Sequence, residues 1–357
     1  MPRTRVLVVE DSATVRARLI EILSSDPAIE VVGAAEDGKT AIELCRQTRP
    51  DVISMDMMLP VMTGLAATEH IMAHCPTPIL IVSASINRGE LFRIYDALAA
   101  GAVDVLEKPT GAEAEGAWEE RFLSTVKLVA RIRVITHPRA RLAQLRRPVL
   151  ENAGGATASL PPRGCELVAI GASTGGPGAI VEILRALPAA FRLPILLVLH
   201  INEPFGAAFA DWLDAQSTRR VIHPMDGMPV TAAAGRVVVA PAGHHMVLRD
   251  GRLRLTSDPE RHSCRPSVDV LFESVARECG ASAAACLLTG MGRDGALGLL
   301  KIRAAGGITI AQDESTSVIY GMPREAAMLD AATHVLRLRD IAPRLVALQA
   351  VTMEARA

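Results

Sequence analysis

From Arg5 to Pro109 short apolar runs alternate with stretches whose apolar residues recur at helical spacing. The runs are RVLVVE (5–10), VVGAAE (31–36), DVISMD (51–56), PILIVSAS (78–85) and AVDVLEKP (102–109). Near-continuous apolar runs suit strands covered on both faces, and the amphipathic stretches between them suit crossover helices. Ser12 opens the first helix, and a charged helical segment follows over about Trp118 to Ile135. The pattern restarts at Glu166 with ELVAIG (166–171), PILLVLH (194–200), RVVVAP (236–241), ACLLTG (285–290) and GITIAQ (307–312). HMVLRDGRLRL predicts a β-hairpin turning at Asp250-Gly251, a dipeptide favoured in primed turns. Between the two patterns the chain is rich in Arg, Ala, Pro and Gly and has no period, as an exposed linker would be. The expectation is an α/β protein of two doubly wound parallel-sheet domains: residues 1–135, a flexible linker over 136–164, and a second domain over 165–345.

Composition narrows the function more than the fold. Aromatic residues make up 3% of the 357 positions, so both cores must be built from Ala, Val, Leu, Ile and Met. With 38 basic and 39 acidic side chains the net charge is −1, which provides no field for gripping nucleic acid or an anionic membrane. The six cysteines form no CxxC pair, so neither a disulfide framework nor a structural zinc site is expected. The N-terminus runs into a strand without a signal-peptide pattern, and no apolar run reaches membrane-spanning length. These features predict a reduced cytoplasmic protein, without membrane insertion, acting as a monomer.

In the first half the polar residues at strand ends form a set. Glu10 and Asp11 follow the first strand, Asp56 the third, Ser83 the fourth and Lys108 the fifth. Functional groups gather at the carboxyl ends of strands in an open parallel sheet. Each residue alone reads as a helix cap or a solvated strand end. Together, three carboxylates need a divalent cation between them, and all-oxygen ligation suits Mg2+. The lysine and the serine hydroxyl can then meet a phosphoryl group carried by Asp56.

With these residues in place, residues 5–109 resemble a response-regulator receiver domain, a flavodoxin-like fold. The resemblance lies in VVEDS (8–12), SMDMMLPVMTG (54–64), VSAS (82–85) and GAVDVLEKP (101–109). It implies Glu10, Asp11 and Asp56 as metal ligands, Asp56 as phosphorylation site, Ser83 and Lys108 as phosphoryl contacts, and a histidine kinase as phosphodonor. Met62-Thr63-Gly64 departs from the commoner Met-Asp-Gly, and Val105 stands where many receivers carry a switching aromatic.

The second half offers a nucleophile. VAIGASTGGPGAI (168–180) reads as strand, glycine-rich turn and helix, and Gly171-Ala-Ser173-Thr-Gly175 fits the G-x-S-x-G elbow. Such a turn leaves the Ser173 hydroxyl at a helix N-terminus, where N–H groups favour developing negative charge. Phosphate binding uses similar turns, but GASTGG has neither the dinucleotide glycine spacing nor a P-loop lysine. His200 ends PILLVLH on the same sheet edge and is the candidate base. His244 and His245 are its main competitors, one of them suited to capping a turn; His223, His262 and His334 lie in less constrained contexts. Asp294, in a glycine-punctuated loop after ACLLTG, is the candidate orienting carboxylate, with Asp313 as the alternative. The same loop offers the Met291 N–H to an oxyanion. The chain order Ser, His, Asp differs from that of α/β-hydrolases.

This half resembles the catalytic domain of the protein-glutamate methylesterases of bacterial chemotaxis, a Rossmann-like domain found fused to a receiver. The matching stretches are AIGASTGGP (169–177), His200, VVVAPAGHHMVL (237–248), RPSVDVLFES (265–274), LLTGMGRDGALGL (287–299) and AQDESTSVIYGMP (311–323). The resemblance implies Ser173 as nucleophile, His200 as general base and Asp294 as its orienter, with Met291 at the oxyanion and Thr174 lining the pocket. It also implies demethylation of glutamate methyl esters and deamidation of glutamines on the cytoplasmic helices of chemoreceptors, without a cofactor for hydrolysis. Phosphorylation would regulate it, the unphosphorylated receiver covering the groove near Ser173. Leu199 and Ile201 beside the base, Phe205 to Phe209 after it, and Ser263-Cys264 depart from the usual residues. The competing readings are a non-catalytic phosphorelay adaptor docking on receptors and a methylesterase in a non-chemotaxis chemosensory pathway.

Overall fold

A computed structural model describes residues 3–84, 87–109, 114, 116–132, 134, 165–201 and 205–356. The chain divides into two compact units, one on each side of the expected linker, whose residues 136–164 lie outside those described.

The first unit alternates strand and helix as the pattern predicts: β1 (Thr4–Val9), α1 (Ala13–Ser24), β2 (Ile29–Ala35), α2 (Gly38–Thr48), β3 (Val52–Met55), α3 (Gly64–His74), β4 (Ile79–Ser83), α4 (Arg88–Ala100), β5 (Asp104–Glu107) and α5 (Ala117–Val129). All neighbouring strands are parallel, in the order β2-β1-β3-β4-β5. Val6, Leu7, Val8, Ile53, Leu80 and Ile81 are fully buried, as strands covered on both faces require. Ser12, Asp37, Thr63 and Asn87 each cap a helix by accepting a backbone N–H. Thr63 thereby explains the departure at Met62-Thr63-Gly64: the hydroxyl caps α3 by accepting the Ala66 N–H at 3.3 Å. A Cβ on Gly64 would lie 2.1 Å from the Asp56 carbonyl oxygen, so the chain passes Asp56 too closely for any side chain there.

The second unit contains β6 (Leu167–Ala172), α6 (Gly176–Ala186), β7 (Ile195–Leu199), α7 (Phe205–Gln216), β8 (Val221–Ile222), β9 (Met228–Pro229), β10 (Val237–Val239), β11 (His245–Arg249), β12 (Arg252–Thr256), α8 (Val268–Cys279), β13 (Ala283–Leu287), α9 (Ala296–Ala304), β14 (Ile308–Gln312), α10 (Met322–Met328), β15 (His334–Leu336) and α11 (Leu338–Arg356). Seven parallel strands lie in the order β15-β14-β13-β6-β7-β10-β8. The expected hairpin forms β11 and β12, joined antiparallel, with Asp250 and Gly251 both at positive φ as a primed turn demands. It does not stand alone, since β9 extends it to a three-stranded sheet.

The sequence pattern missed β8, β9 and β15, which have two, two and three residues and are too short to show a period. The expected strand over 285–290 starts earlier and ends at Leu287. Beyond it the chain leaves the sheet, and the Gly290 N–H donates to the Ile319 carbonyl instead. The last helix continues past residue 345, the expected end of the domain. The core is aliphatic as composition requires, centred on Val198, Val238, Val268, Leu271, Leu287, Leu299 and Met322. None of the six cysteines is in a disulfide, and no helix of the described residues is long and apolar enough to cross a membrane.

Candidate active site

In the second sheet the chain proceeds from β6 outward to β8 on one side, then returns to β13 and runs outward to β15. The switch point is therefore the β6–β13 boundary, and a crevice opens there beyond the carboxyl ends of the strands. Ser173 follows β6 directly and is half-buried. Its N–H donates to the Thr289 carbonyl (3.0 Å), and its own carbonyl accepts the Gly176 N–H (2.7 Å), which closes the turn into α6. Gly175 has φ 79°, and a Cβ there would sit 2.6 Å from the Val318 Cβ, so the elbow needs glycine on both counts. Among the described residues neither the Thr174 nor the Met291 N–H has a hydrogen-bond acceptor.

His200 follows β7, the neighbour of β6, and its backbone N–H donates to the Ala172 carbonyl at 3.0 Å. Its ring Nε2 lies 2.8 Å from Asp294 Oδ2. Asp294 is buried and accepts three further donors: the Ser267 hydroxyl (2.8 Å) and the Asp269 N–H (3.0 Å) on Oδ1, and the Val268 N–H (2.7 Å) on Oδ2. The carboxylate thus occupies the N-terminus of α8, where free amides and the helix dipole favour an anion. Burial alone would raise its pKa, but the hydrogen bond and charge of His200, with the helix amides, hold it below the usual value. For His200 burial favours the neutral ring, yet Asp294 and Cys264 outweigh it and lift the pKa to about 9. No hydrogen bond joins the Ser173 hydroxyl to His200 among the described residues.

The rival histidines are engaged elsewhere. His245 is fully buried, its Nδ1 accepting the Ser267 N–H and its Nε2 donating to the Pro259 carbonyl, a structural role in a neutral ring. His244 is exposed beside the Ala242 carbonyl, His223 meets the Val239 carbonyl, His262 pairs with Asp269, and His334 meets Arg344. Asp313, the alternative carboxylate, caps the short turn Glu314–Thr316 and lies outside the Asp294 network. Three contributors escaped the sequence reading. Ser267 was visible as a serine before an amphipathic run, a helix-start signal, but not as a donor to Asp294. Thr289 donates from its hydroxyl to the Thr174 carbonyl (3.0 Å) and accepts the Ile319 N–H (2.9 Å), bracing the elbow. Cys264 lies with His200 and Asp294 in a group whose N, S and O atoms are all within 4.8 Å of one another.

The first unit brings its strand-end set together as well. Carboxylate oxygens of Glu10, Asp11 and Asp56 lie within 4.8 Å of one another, two of these residues buried. Lys108 Nζ is 2.8 Å from Glu10 Oε2 and 3.0 Å from Asp56 Oδ2. Asp56 Oδ1 accepts the Met57 N–H at 2.7 Å. Burial, with the nearby charge of Asp56, pushes the Glu10 pKa up despite Lys108. The Ser83 hydroxyl is buried without a hydrogen-bond partner among the described residues. An excess of carboxylate and an unsatisfied hydroxyl together fit a cation and a phosphoryl group.

Residues 168–345 match the CheB methylesterase family and residues 6–115 the response regulator receiver domain. A protein-glutamate methylesterase/protein-glutamine glutaminase of Cupriavidus pinatubonensis is 41% identical over 96% of this chain and 96% of its own. One from Anaeromyxobacter dehalogenans is 42% identical over 94% of each chain. The crystal structure of the Thermotoga maritima CheB methylesterase catalytic domain is 34% identical, covers 52% of this chain and 98% of its own, and superposes with a TM-score of 0.49.

Proposed function

The chain belongs to the protein-glutamate methylesterase/protein-glutamine glutaminase family, with a response regulator receiver ahead of a CheB methylesterase domain, and we propose that Ser173, His200 and Asp294 carry its hydrolysis. The observation that supports this most is the His200–Asp294 pair at 2.8 Å beside a serine elbow at the switch point of the sheet. His200 takes the Ser173 proton as the hydroxyl attacks a glutamate methyl ester carbonyl, and Asp294 stabilises the imidazolium that forms. With Nε2 held by Asp294, the remaining nitrogen, Nδ1, does the proton transfer. The hydroxyl–imidazole contact is one that often tightens only around substrate. The free N–H groups of Thr174 and Met291 suit the oxyanion. Proton return from His200 releases methanol, and water activated by the same ring cleaves the acyl-enzyme. A glutamine side chain follows the same path and releases ammonia. The substrates are methylated or amidated side chains on chemoreceptor cytoplasmic helices.

In the receiver, Glu10, Asp11 and Asp56 would hold Mg2+, which when bound offsets the carboxylate repulsion and the charge of an incoming phosphoryl group. Asp56 accepts the phosphoryl from a histidine kinase, and Lys108 and Ser83 hold its oxygens. The expected boundaries stand as part of this reading: receiver to residue 135, linker 136–164, catalytic domain from 165.

The deciding experiment measures methanol release from methylated receptor by the full chain and by Ser173→Ala. A fall of about 10³-fold or more supports the nucleophile. Equal rates in the two proteins would remove Ser173 from the mechanism.

A further inference from the structure

The loop before α8 carries groups that the hydrolytic reaction does not need. Arg261 and Cys264 form an isolated antiparallel bridge, with hydrogen bonds from the Arg261 N–H to the Cys264 carbonyl (3.2 Å) and from the Cys264 N–H to the Arg261 carbonyl (2.9 Å). The two residues between them, His262 and Ser263, have φ of 53° and 57°. That is the left-handed pair of a primed turn, made here without glycine. The turn fixes Cys264 against His200 and Asp294. A second overlapping group, His262, Asp269 and Asp294, is equally tight, so two buried carboxylates share this corner. Arg261 lies 3.8 Å from Asp269 and 2.8 Å from Glu273. Imidazole, thiol and carboxylate converging from three segments are a donor set of zinc type once the thiol is deprotonated by the metal. The sulfur discriminates against Mg2+ and Ca2+, which take oxygen ligands.

We propose that His200, Cys264 and Asp294 form a binding site for Zn2+ or a similar thiolate-preferring divalent ion, and that its occupation switches the hydrolase off. The inhibitory half of this rests on His200 being the base; the binding half does not. Tetrahedral ligation at bonds of about 2.0 Å puts nitrogen and oxygen roughly 3.3 Å apart, so the present 2.8 Å contact need open only slightly. Binding expels the Cys264 thiol proton to solvent, and the proton that His200 shares with Asp294 leaves Nε2 for Nδ1, so the ring ligates in its neutral form. No oxidation state changes. With Nε2 on the metal the neutral ring carries its one proton on Nδ1, which can then no longer take the Ser173 proton, and the orienting carboxylate is withdrawn.

Two measurements on the full chain test this. The first adds Co2+ to Ser173→Ala and to Ser173→Ala/Cys264→Ser and records the absorption spectrum. A thiolate-to-cobalt charge-transfer band that disappears with Cys264 supports the site, and a band of equal strength in both proteins, or none in either, overturns it. The carboxylates of the receiver give no such band. The second titrates Zn2+ against methanol release, each protein referred to its own metal-free rate. Inhibition reversed by a chelator, with the half-inhibitory concentration at least ten-fold higher in Cys264→Ser, supports the switch; equal sensitivity overturns it. Should Ser173 prove irrelevant to turnover, the proposed reaction fails while the cobalt spectra still decide the metal site.

Discussion

Asp294 receives donors from Ser267, Val268, Asp269 and His200, and the balance among them sets how much negative charge the imidazolium meets. Removing a donor other than His200 leaves more charge for the ring, so the pKa of His200 should rise. Ser267→Ala should therefore move the pH–rate profile to higher pH and lower kcat/KM near neutrality by roughly ten-fold, while Ser267→Thr restores it. Ser267 also caps α8 by accepting the Val270 N–H at 3.4 Å, and loss of that cap should cost about 0.5–2 kcal/mol of stability, seen as a lower Tm. Asp294→Asn should do the opposite to the profile, shifting it down, with kcat reduced by about 10²–10⁴ because the ring loses its orienter. A profile unmoved by either change would mean that this network does not govern the base. The wild type has its own pH signature. A histidine raised from its ordinary 6.5 to about 9 contributes stability that is complete below 6.5 and lost as pH rises through about 9. Hydrolysis needs the neutral ring, so rate should climb over the window in which thermal stability declines.

Secondary-structure elements meet at this site through glycines that let two of them touch. A Cβ on Gly290 would come 2.3 Å from Met322 Sδ and 2.8 Å from Ser173 Cβ. Gly290→Ala must therefore displace Met322 or Ser173, the proposed nucleophile, and methanol release should fall at least ten-fold even where circular dichroism shows a folded protein. Gly298, in α9, lies against α8: its Cβ would be 2.6 Å from Phe272 Cβ and 3.1 Å from Asp269 Cα. Gly298→Ala should cost about 1–3 kcal/mol in denaturant unfolding, the typical cost of overpacking a tight contact. Asp269 holds the same pair together by accepting the Gly298 N–H at 2.6 Å while its own N–H serves Asp294. Packing of α8 on α9 and orientation of the proposed base, His200, are thus linked through one residue.

At the scale of the whole chain, a phosphorylatable unit and a hydrolytic unit share one polypeptide, and the expectation is that the first restrains the second until Asp56 is modified. Residues 160–357 alone should then hydrolyse methylated receptor faster than the unphosphorylated full chain. Equal rates would rule out inhibition by the receiver. Asp56→Asn should neither incorporate phosphate from a small acyl phosphate nor respond to it with a change in methanol release, whereas the wild type does both. The switching aromatic of many receivers is replaced by the half-buried Val105, so any coupling has to run through other groups.

The strands that hold the site were legible because parallel strands buried on both faces are continuous apolar runs, and the polar residues ending them, Ser173, His200, Asp56 and Lys108, stand out against that background. Short strands such as β8, β9 and β15 carry too few residues for a period, and only their sheet neighbours define them. The choice of His200 over His245 was not decided by local sequence, since both adjoin strands. It took the fold to bury His245 against the Ser267 N–H and the Pro259 carbonyl, leaving His200 to Asp294. The approach of Ser267 and Cys264 to Asp294 was hidden for the same reason. They lie 27 and 30 residues before Asp294, and only the return of α8 across the sheet brings them to it. The sequence by itself determined two α/β sheets, a serine elbow and an acidic strand-end cluster, all set by periodicity and by chemistry within a few residues. Only the tertiary structure decided which base and which donors meet the carboxylate, because those contacts join segments that burial alone makes neighbours.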